Sequence, residues 1–480
     1  MAHDQTSKVG LAAKLFYGSG QAVDAVVQAA LGTFLLFYLT AVVGLSGAEA
    51  GVVLFLSLAI DGLLDPAIGR LSDNWRSRWG RRLPFMMAAL LPMAGAMWAL
   101  FSIPPALNGG ALLAYVLLLN VAVRVGLSVF ALPHSALNAE LTDDYRERSV
   151  LSGFRAIFIV AGTLACVAPA FAIMFAAEGS LETRGAYPEF GMWVGLLIVG
   201  FGFTCVFGAA RPVLRLTGAS SLAPAQKVSF LTDIGMLFRN PSFTPLFAGA
   251  VLVLVAQGMS LALNLHLYRY FWHLKAEYMQ LPVLMLPVGM LAGTILSGPL
   301  LRFVEKRDGV LLAICALALY VAVLPLIVLF GIVEPGGPLT LWLLAGHGFM
   351  FGTGGAICFV CFYSMIADAV DEHDHLFGIR REALYAAALM IGAKAATGLG
   401  GLVAGLALQA VGFNADLAAA GELTNAATVA LGLLWGPGTA LLIVASVPIF
   451  LRYRITRARH AELVEGLKRR ASGEAIAGAA

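Results

Sequence analysis

Charged residues are scarce in this 480-residue sequence: Asp, Glu, Lys and Arg make up 12% of it, whereas hydrophobic residues make up 60%. A soluble domain of average composition carries about 25% charged residues, so an ordinary water-soluble protein is excluded. The mean hydropathy of +0.85 indicates that the bilayer is the solvent. The net charge of +3 gives no basis for binding a nucleic acid, and we expect none to bind.

Cysteine is equally scarce, and all five cysteines fall inside apolar runs, where we expect them to be small buried side chains. Two of them, Cys358 and Cys361, are spaced C-x-x-C but lack the loop setting of a metal or redox site. The residues before the first apolar run contain no apolar core, so no cleavable signal peptide is expected. The remaining cysteines are Cys166, Cys205 and Cys315.

Long apolar runs make up most of the sequence. A membrane-spanning helix needs about 20 apolar residues, and the sequence offers roughly twelve such runs. This predicts an all-α membrane protein of twelve helices in two six-helix bundles. The longest polar break, 211–240, is the predicted cytoplasmic linker between bundles at 1–210 and 241–455, and 456–480 is the predicted cytoplasmic tail.

A weak internal repeat supports the division into halves. The second predicted helix ends in Gly69-Arg-Leu-Ser-Asp73, and the eighth ends in Gly298-Pro-Leu-Leu-Arg302; a basic or mixed-charge loop follows each. Two matching halves suit a transporter that rocks one half against the other. Basic residues gather in the loops on one side, which predicts a multi-pass protein of the bacterial inner membrane with both termini cytoplasmic.

Asp61 and Asp65 lie one helical turn apart in the apolar run FLSLAIDGLLDPAIG. Each carboxylate costs about 2.5 to 3.5 kcal/mol to insert at the membrane centre, so something must neutralise the pair. The candidates are a bound cation, a proton or a basic side chain from another helix, and a static ion pair between helices is the structural alternative.

Two basic side chains within the predicted membrane helices could neutralise these carboxylates. Lys394 lies among small residues of the eleventh predicted helix, and Arg124 lies in the fourth. Asp24 falls at a comparable depth of the first helix. Two interpretations of Arg124 stay open: a structural partner of Asp24 or Asp61, or an anchor for an anionic group of the substrate.

Other polar residues suggest a gate and a cavity. The acidic and basic residues of two loops on the predicted cytoplasmic side could form a charged latch that closes in one state, although a solvated turn is the simpler alternative. The polar candidates within the membrane could face a central cavity or only bond neighbouring helices. The gate candidates are Asp73, Arg78, Arg81, Asp368, Asp371, Arg380 and Glu382, and the cavity candidates include Gln28, Gln257, Asn264 and His347.

The sequence resembles the glycoside-pentoside-hexuronide:cation symporters of the major facilitator superfamily, the melibiose-carrier group. The resemblance runs the length of the chain and is carried by short motifs. It implies a twelve-helix alternating-access fold, a cation site at Asp61 and Asp65, and coupling of cation to substrate by Lys394. The motifs are Lys14-Leu-Phe-Tyr-Gly-Ser-Gly, Asp61-x-x-x-Asp65-Pro-x-x-Gly69, Arg76-Ser-Arg-Trp-Gly80-Arg, Arg146-x-Arg148, Gly153-Phe-Arg155, Asp368-x-x-Asp371, Arg380-x-Glu382 and Lys394.

The departures from the family pattern shape the expected function. Leu64 replaces an Asn that would offer an oxygen to sodium, Arg124 replaces a Gly beside the cation site, and Ser128 replaces a nearby Thr. Galactoside binding is not expected, because the sugar-binding Asp positions of the pattern align with Ala25 and Ala131. Arg155 joins the cavity candidates through its motif.

Two transport hypotheses remain open. The first is a symporter of a small organic or amphiphilic solute, coupled to a proton or a sodium ion at Asp61, Asp65 and Ser128, with Lys394 and Arg124 as charge partners. The second is a cation-independent facilitator or exchanger in which Arg124 permanently neutralises the pair. A lysolipid-type symporter or a scramblase is a further alternative.

An enzyme is not expected, because no nucleophile with a base and no cluster of metal ligands occurs at depth. We therefore assign no catalytic residue, no metal and no cofactor beyond the co-transported ion. The expected partners are a small-molecule substrate and membrane lipids, and the protein is expected to function as a monomer.

Overall fold

The structure is a computed structural model that describes residues 9–77, 79–142, 144–216, 235–419 and 423–471. No β-strand occurs in these residues, and eleven of their helices are long and apolar enough to cross a membrane. They are α2 (Gly47–Asn74), α3 (Leu83–Leu100), α4 (Gly109–Leu141), α5 (Tyr145–Pro169), α6 (Tyr187–Leu216), α7 (Phe243–His266), α8 (Ala276–Phe303), α9 (Lys306–Leu329), α10 (Pro338–Phe377), α11 (Glu382–Ala410) and α12 (Asn425–Phe450).

The first helix, α1, spans Leu11–Ala29 and continues through π-helical segments at Ala30–Leu35 and Tyr38–Val42, so it is a twelfth long helix. Its counterpart in the second half, α7, likewise passes into a π-helical segment at Leu267–Phe271. Wider π turns are rare and are frequently found at functional sites. The all-α, twelve-helix fold expected from the sequence is confirmed.

Local sequence explains where several helices begin. Ser46 accepts a hydrogen bond from the backbone N–H of Glu49, and the Glu49 carboxylate accepts one from the backbone N–H of Ser46. This reciprocal capping satisfies backbone donors that the first turn of α2 would otherwise leave without partners. Thr424 caps the start of α12 through the backbone N–H of Ala427.

The two halves repeat one pattern of helix packing. In the first half α1 packs on α5 and α6, α4 packs on α2 and α3, and α3 packs on α6. In the second half α7 packs on α11 and α12, α10 packs on α8 and α9, and α9 packs on α12. The halves meet mainly along two helix pairs, α2 with α11 and α5 with α8. These two pairs are equivalent, because the repeat matches α2 to α8 and α5 to α11.

Glycines allow α2 and α11 to approach closely. A Cβ atom added at Gly405 would collide with the backbone of Gly47, and one added at Gly51 would press on the backbone of Leu402. Small residues at such interfaces let helix backbones touch where lipid supplies no hydrophobic drive between helices. The α2–α11 seam therefore holds its two helices in fixed register.

The segments outside the bundles differ in part from the predicted boundaries. Helix α6 runs to Leu216, past the predicted start of the linker at 211, because polar residues do not end a helix and basic residues such as Arg211 and Arg215 are favourable near its C-terminus. Residues 217–234 of that linker lie outside the described residues. The predicted tail contains a helix, α13 (Arg457–Ala471), which is anchored to the second half. His460 Nε2 lies 3.1 Å from Asp371 Oδ2.

Candidate functional site

The two carboxylates predicted at the centre of the protein lie on one face of α2, and both are buried. This placement follows from their spacing, because residues four apart on a helix are neighbours on one face. Because α2 packs on α11, this face of α2 lies against α11. The carboxylates of Asp61 and Asp65 therefore face a helix of the other half rather than lipid.

Lys394 of α11 lies between the two carboxylates. Its Nζ atom is 2.7 Å from Asp61 Oδ2 and 2.6 Å from Asp65 Oδ2. The ammonium thus occupies the position from which a cation would contact both residues. Only 6% and 9% of the two carboxylate side chains are exposed, compared with 24% of the Lys394 side chain, so the lysine is less deeply buried than the acids.

Residues of α4 complete the cluster. Ser128 Oγ donates to Asp61 Oδ1 at 2.7 Å and lies 3.1 Å from Lys394 Nζ. Arg124 is buried nearby and feels the charge of Asp61, but it forms no ion pair within 4.0 Å among the described residues, and its Nε has no hydrogen-bond partner there. The oxygen Oδ1 of Asp65 is buried and also lacks a partner in the described part of the chain.

The formal charges of this cluster cancel. Asp61 and Asp65 contribute two negative charges, and Lys394 and Arg124 contribute two positive charges. A bound sodium ion would add a charge to a buried, neutral group of side chains, which carries a desolvation cost. A proton on Asp65 would also add a charge, but it would neutralise a carboxylate whose buried Oδ1 has no hydrogen-bond partner among the described residues.

Asp24 belongs to a separate polar group between α1 and α5. Gln21 Nε2 donates to Asp24 Oδ2 at 2.9 Å, and Arg155 Nε donates to Gln21 Oε1 at 2.9 Å. Gln28 lies close to the same carboxylate but is exposed. Of the partners considered for Arg124, Asp24 forms no ion pair with it among the described residues, because α1 packs mainly on α5 and α6 and the charge of Arg155 acts on Asp24 instead.

The other cavity candidates lie in the second half. Gln257 of α7 lines a cavity of about 460 Å³ that is bounded mainly by α7, α8, α9 and α10, with α5 on one side. Asn264 and His347 line a second cavity, of about 30 Å³. Asn264 Oδ1 accepts a hydrogen bond from Trp435 Nε1 at 2.8 Å, whereas neither ring nitrogen of His347 has a partner among the described residues.

The gate candidates pair within their own halves on the side where α1 begins and α12 ends, which we call the terminal side. Arg82 lies 3.4 Å from Asp73, and both Arg81 and Arg82 bond Glu140. In the second half, Asp368 binds Lys306, whereas Asp371 and Glu382 bind Arg380. Bonds to Glu382 and Asp371 raise the pKa of the Arg380 guanidinium. Arg78 lies outside the described residues.

On the opposite side, which we call the far side, polar contacts do join the halves. Thr40 Oγ1 lies 2.8 Å from His266 Nε2, and Arg269 forms an ion pair with Glu182. Phe37 packs its ring on His266 as well. These contacts join the halves on the far side, whereas the gate candidates described above pair within each half on the terminal side; among the described residues this is the arrangement of a carrier closed on its far side.

Sequence reasoning did not find most of these far-side partners. A lone Thr in an apolar run gives no signal, and Glu182 and Arg269 are ordinary loop charges until the fold brings them together. His266 appears in the sequence only as one polar residue among many. Glu140 was equally hidden, since an acidic residue at a helix end is common.

Two repeated six-helix halves, joined at mid-depth by a buried charge cluster, define a secondary carrier of the membrane. A family described as MFS/sugar transport protein matches residues 16–457, and the chain belongs to this family. The resemblance to glycoside-pentoside-hexuronide:cation symporters is thereby confirmed. The family members and structural neighbours are transporters rather than enzymes.

Two relatives are distant in sequence but match over almost their whole lengths. An uncharacterized symporter of Synechocystis sp. is 26% identical, with 96% of this chain and 97% of the relative covered. The glucuronide carrier protein homolog of Escherichia coli is 25% identical, with 90% of each chain covered. The crystal structure of a nucleoside transporter has a TM-score of 0.62 at 16% identity, covering 92% of this chain and 98% of that one, which supports the fold.

Proposed function

We propose that the protein is a proton-coupled symporter of a small organic or amphiphilic solute, with Asp65 as the proton acceptor and Lys394 as the coupling residue. The observation that carries the proposal is the position of Lys394 Nζ, 2.7 Å from Asp61 and 2.6 Å from Asp65. These pairs cross from one half of the protein to the other. Any change that loosens them also loosens a contact between the two halves.

The proposed step begins at the unpartnered oxygen of Asp65. A proton that binds Oδ1 turns the carboxylate into a neutral acid, and the attraction between Asp65 and Lys394 is lost. Lys394 then retains Asp61 as its only ionised partner, so one of the two ion pairs that join the halves is broken. Release of the proton restores both pairs. One proton therefore moves with each conformational cycle.

Sodium is the weaker candidate for the coupled ion. Sodium prefers several oxygen ligands, and the position beside Asp65 that would supply one in the related pattern is occupied by Leu64, which is exposed. The charge of Arg124 further opposes a second fixed cation. The same neutrality favours the alternative function, a facilitator or exchanger that needs no ion, because the cluster is already balanced without one.

The proposed setting is the bacterial inner membrane, with the terminal side cytoplasmic. Basic residues of the described loops lie predominantly on that side, which the positive-inside rule associates with the cytoplasm. In this orientation the far side is the periplasmic side. The described state is then closed to the periplasm.

The test begins with a ligand. Thermal stabilisation of the purified protein is measured against sugars, uronides, lysolipids and organic anions. The stabilising compound is then assayed for uptake into proteoliposomes with a proton gradient, a sodium gradient or neither, and with a pH dye inside. Proton symport predicts uptake that follows the proton gradient and solute-dependent acidification of the lumen.

Two variants sharpen the assay. Asp65→Asn should abolish proton movement and gradient-driven uptake while leaving solute exchange between the two sides. Asp308→Asn, at an aspartate of α9 with 46% of its side chain exposed and outside the candidate sites, is the matched control and should behave like the unaltered protein. Uptake that depends on neither gradient would contradict symport and support the facilitator. Uptake driven by a sodium gradient alone would exclude the proton as the coupled ion.

A further inference from the structure

The cavity of about 460 Å³ has the size of a ligand pocket but little polarity. Pockets that enclose small molecules typically measure about 300 to 1,000 Å³. Its lining is almost entirely aliphatic and aromatic, and Gln257 and Thr294 are its main polar side chains. Thr294 Oγ1 is already bonded to the carbonyl oxygen of Met290, so the large cavity itself offers little polar contact to a ligand.

A second, polar compartment adjoins this cavity. Leu286 and Phe351 line both spaces, so the two share a wall. The smaller space, about 30 Å³, holds about one water molecule or one small polar group. His347 is 2% exposed and lines it with both ring nitrogens unbonded within the described chain. A buried imidazole without partners is costly to maintain, and a hydrogen bond from a ligand would remove that cost.

The internal repeat relates two residues that line the large cavity to the two acidic residues of the charge cluster. Counting back four and eight residues from Gly69 gives Asp65 and Asp61, and the same count from Gly298 gives Thr294 and Met290. Both of the latter residues line the large cavity. Equivalent positions of the two halves therefore carry charged residues on α2 and uncharged residues on α8.

The surroundings of the two equivalent positions differ in the same way. Glycines close the α2–α11 seam, whereas the related contact between α5 and α8 borders open space: Ala156, Ile159 and Val160 of α5 line the large cavity. Gly355 of α10 also faces it, since a Cβ atom added there would meet only Gln257 Nε2, at 3.7 Å. The cavity thus has room at a backbone position that can be filled deliberately.

We infer that the solute of the proposed transporter is a compact, largely apolar molecule with one small hydrogen-bonding group, rather than a polyhydroxylated sugar. Its apolar body fills the large cavity of the second half, and its polar group bonds His347 in the adjoining space. This inference rests on the proposed function for calling the ligand a solute of transport. The charge cluster of α2, α4 and α11 then serves the ion and does not hold the apolar body.

Equilibrium binding tests the inference without any gradient, so its outcome is separate from that of the symport assay. The protein is placed in phosphatidylcholine nanodiscs and titrated calorimetrically with 2-naphthol, with naphthalene and with a methyl glucuronide, after subtraction of empty nanodiscs. We expect saturable binding of 2-naphthol, about tenfold weaker binding of naphthalene because the hydrogen bond to His347 is missing, and no competition by the glucuronide.

Two cavity variants and one control assign the site. Gly355→Leu fills the large cavity and should weaken 2-naphthol at least tenfold. Gly298→Leu, at an exposed glycine of α8 with nothing within 4 Å of an added Cβ, should leave it unchanged. His347→Phe should bring 2-naphthol down to the affinity of naphthalene while naphthalene still binds, which also shows that the variant is folded.

Three results would overturn the inference. One is 2-naphthol binding that Gly355→Leu does not change, and another is 2-naphthol binding no greater than that of empty nanodiscs. The third concerns membrane lipid as the occupant: acyl lipid that co-purifies with the protein, is lost in Gly355→Leu and is not displaced by 2-naphthol would make the cavity a lipid site instead.

Discussion

Lys394 and Asp61 form an ion pair of 2.7 Å that crosses between the two halves of the protein at mid-depth. Apart from the adjoining Lys394–Asp65 pair, most described ion pairs join residues of the same half, and the Arg269–Glu182 pair on the far side is the exception. The charge that neutralises α2 therefore also holds the halves together. A single lysine links electrostatics to conformation, and replacing it should affect both.

Lys394→Met should destabilise the protein by about 3 to 5 kcal/mol, because removing one partner leaves buried charges uncompensated. Denaturant unfolding in a mild detergent measures the change. Lys394→Arg keeps the positive charge at this position and should recover most of the stability. A methionine variant as stable as the unaltered protein would show that Lys394 does not neutralise the carboxylates.

Arg124→Gly should create or strengthen a response to sodium. The substitution leaves two carboxylates facing one lysine, so the cluster gains a negative charge that a cation can satisfy. The expected result is a rise in melting temperature with sodium chloride that potassium or choline chloride does not reproduce.

Arg124→Lys is the matched variant, since it keeps the charge and should remain insensitive to sodium. A strong, sodium-specific stabilisation of the unaltered protein would contradict the reasoning, because it would mean that sodium binds in spite of the Arg124 charge.

Thr40→Val should favour opening of the far side. The variant keeps the shape of the side chain but loses the hydrogen bond between Thr40 and His266, which joins the halves at 2.8 Å. A buried hydrogen bond contributes about 1 kcal/mol, so the population of far-side-open molecules should rise roughly fivefold. Thr340→Val, which removes a bond to Glu334 within one half, is the control.

Spin labels on exposed far-side loops would report this opening. Ala106→Cys lies between α3 and α4, and Ile332→Cys lies between α9 and α10. The distance distribution between the two labels should gain a longer component in Thr40→Val and remain unchanged in Thr340→Val. Identical distributions in all three backgrounds would remove this contact from the gate.

Arg457→Ala should destabilise the second half by about 1 kcal/mol. The guanidinium of Arg457 donates to the carbonyl oxygens of Leu301, Arg302 and Val304, at the end of α8, where helix carbonyls lack partners of their own. Arg459→Ala removes only a bond to Glu462 on the same helix and should stay within about 0.5 kcal/mol. Equal melting temperatures for both variants would show that α13 is not anchored through Arg457.

The fold could be predicted from the sequence because each membrane span is marked by a long apolar run. Asp61, Asp65 and Lys394 were accessible for the same reason, since charge is conspicuous in such runs. What the sequence did not show is which helices face each other. Asp24 was expected near Arg124 on grounds of depth, and the packing of α1 on α5 directs it to Arg155 and Gln21 instead.

The apolar cavity lay beyond sequence reasoning for a different reason. Its lining residues are as hydrophobic as those that face lipid or pack in the core. No sequence pattern therefore distinguishes residues that line a cavity from residues of a packed core. The α13 helix was assigned to a tail because its composition is polar. Its anchoring depends on carbonyl groups at the end of α8, which any sequence would supply.

The balanced charges at the centre have a consequence for the membrane potential. An elementary charge that crosses the membrane field gains or loses about 2.3 kcal/mol per 100 mV. Asp61 and Asp65 are offset by Lys394 and Arg124, and Asp24 is offset by Arg155. The charges of these six residues therefore cancel in the empty protein, and under the proposed proton coupling the voltage acts on them only in the step that carries the proton.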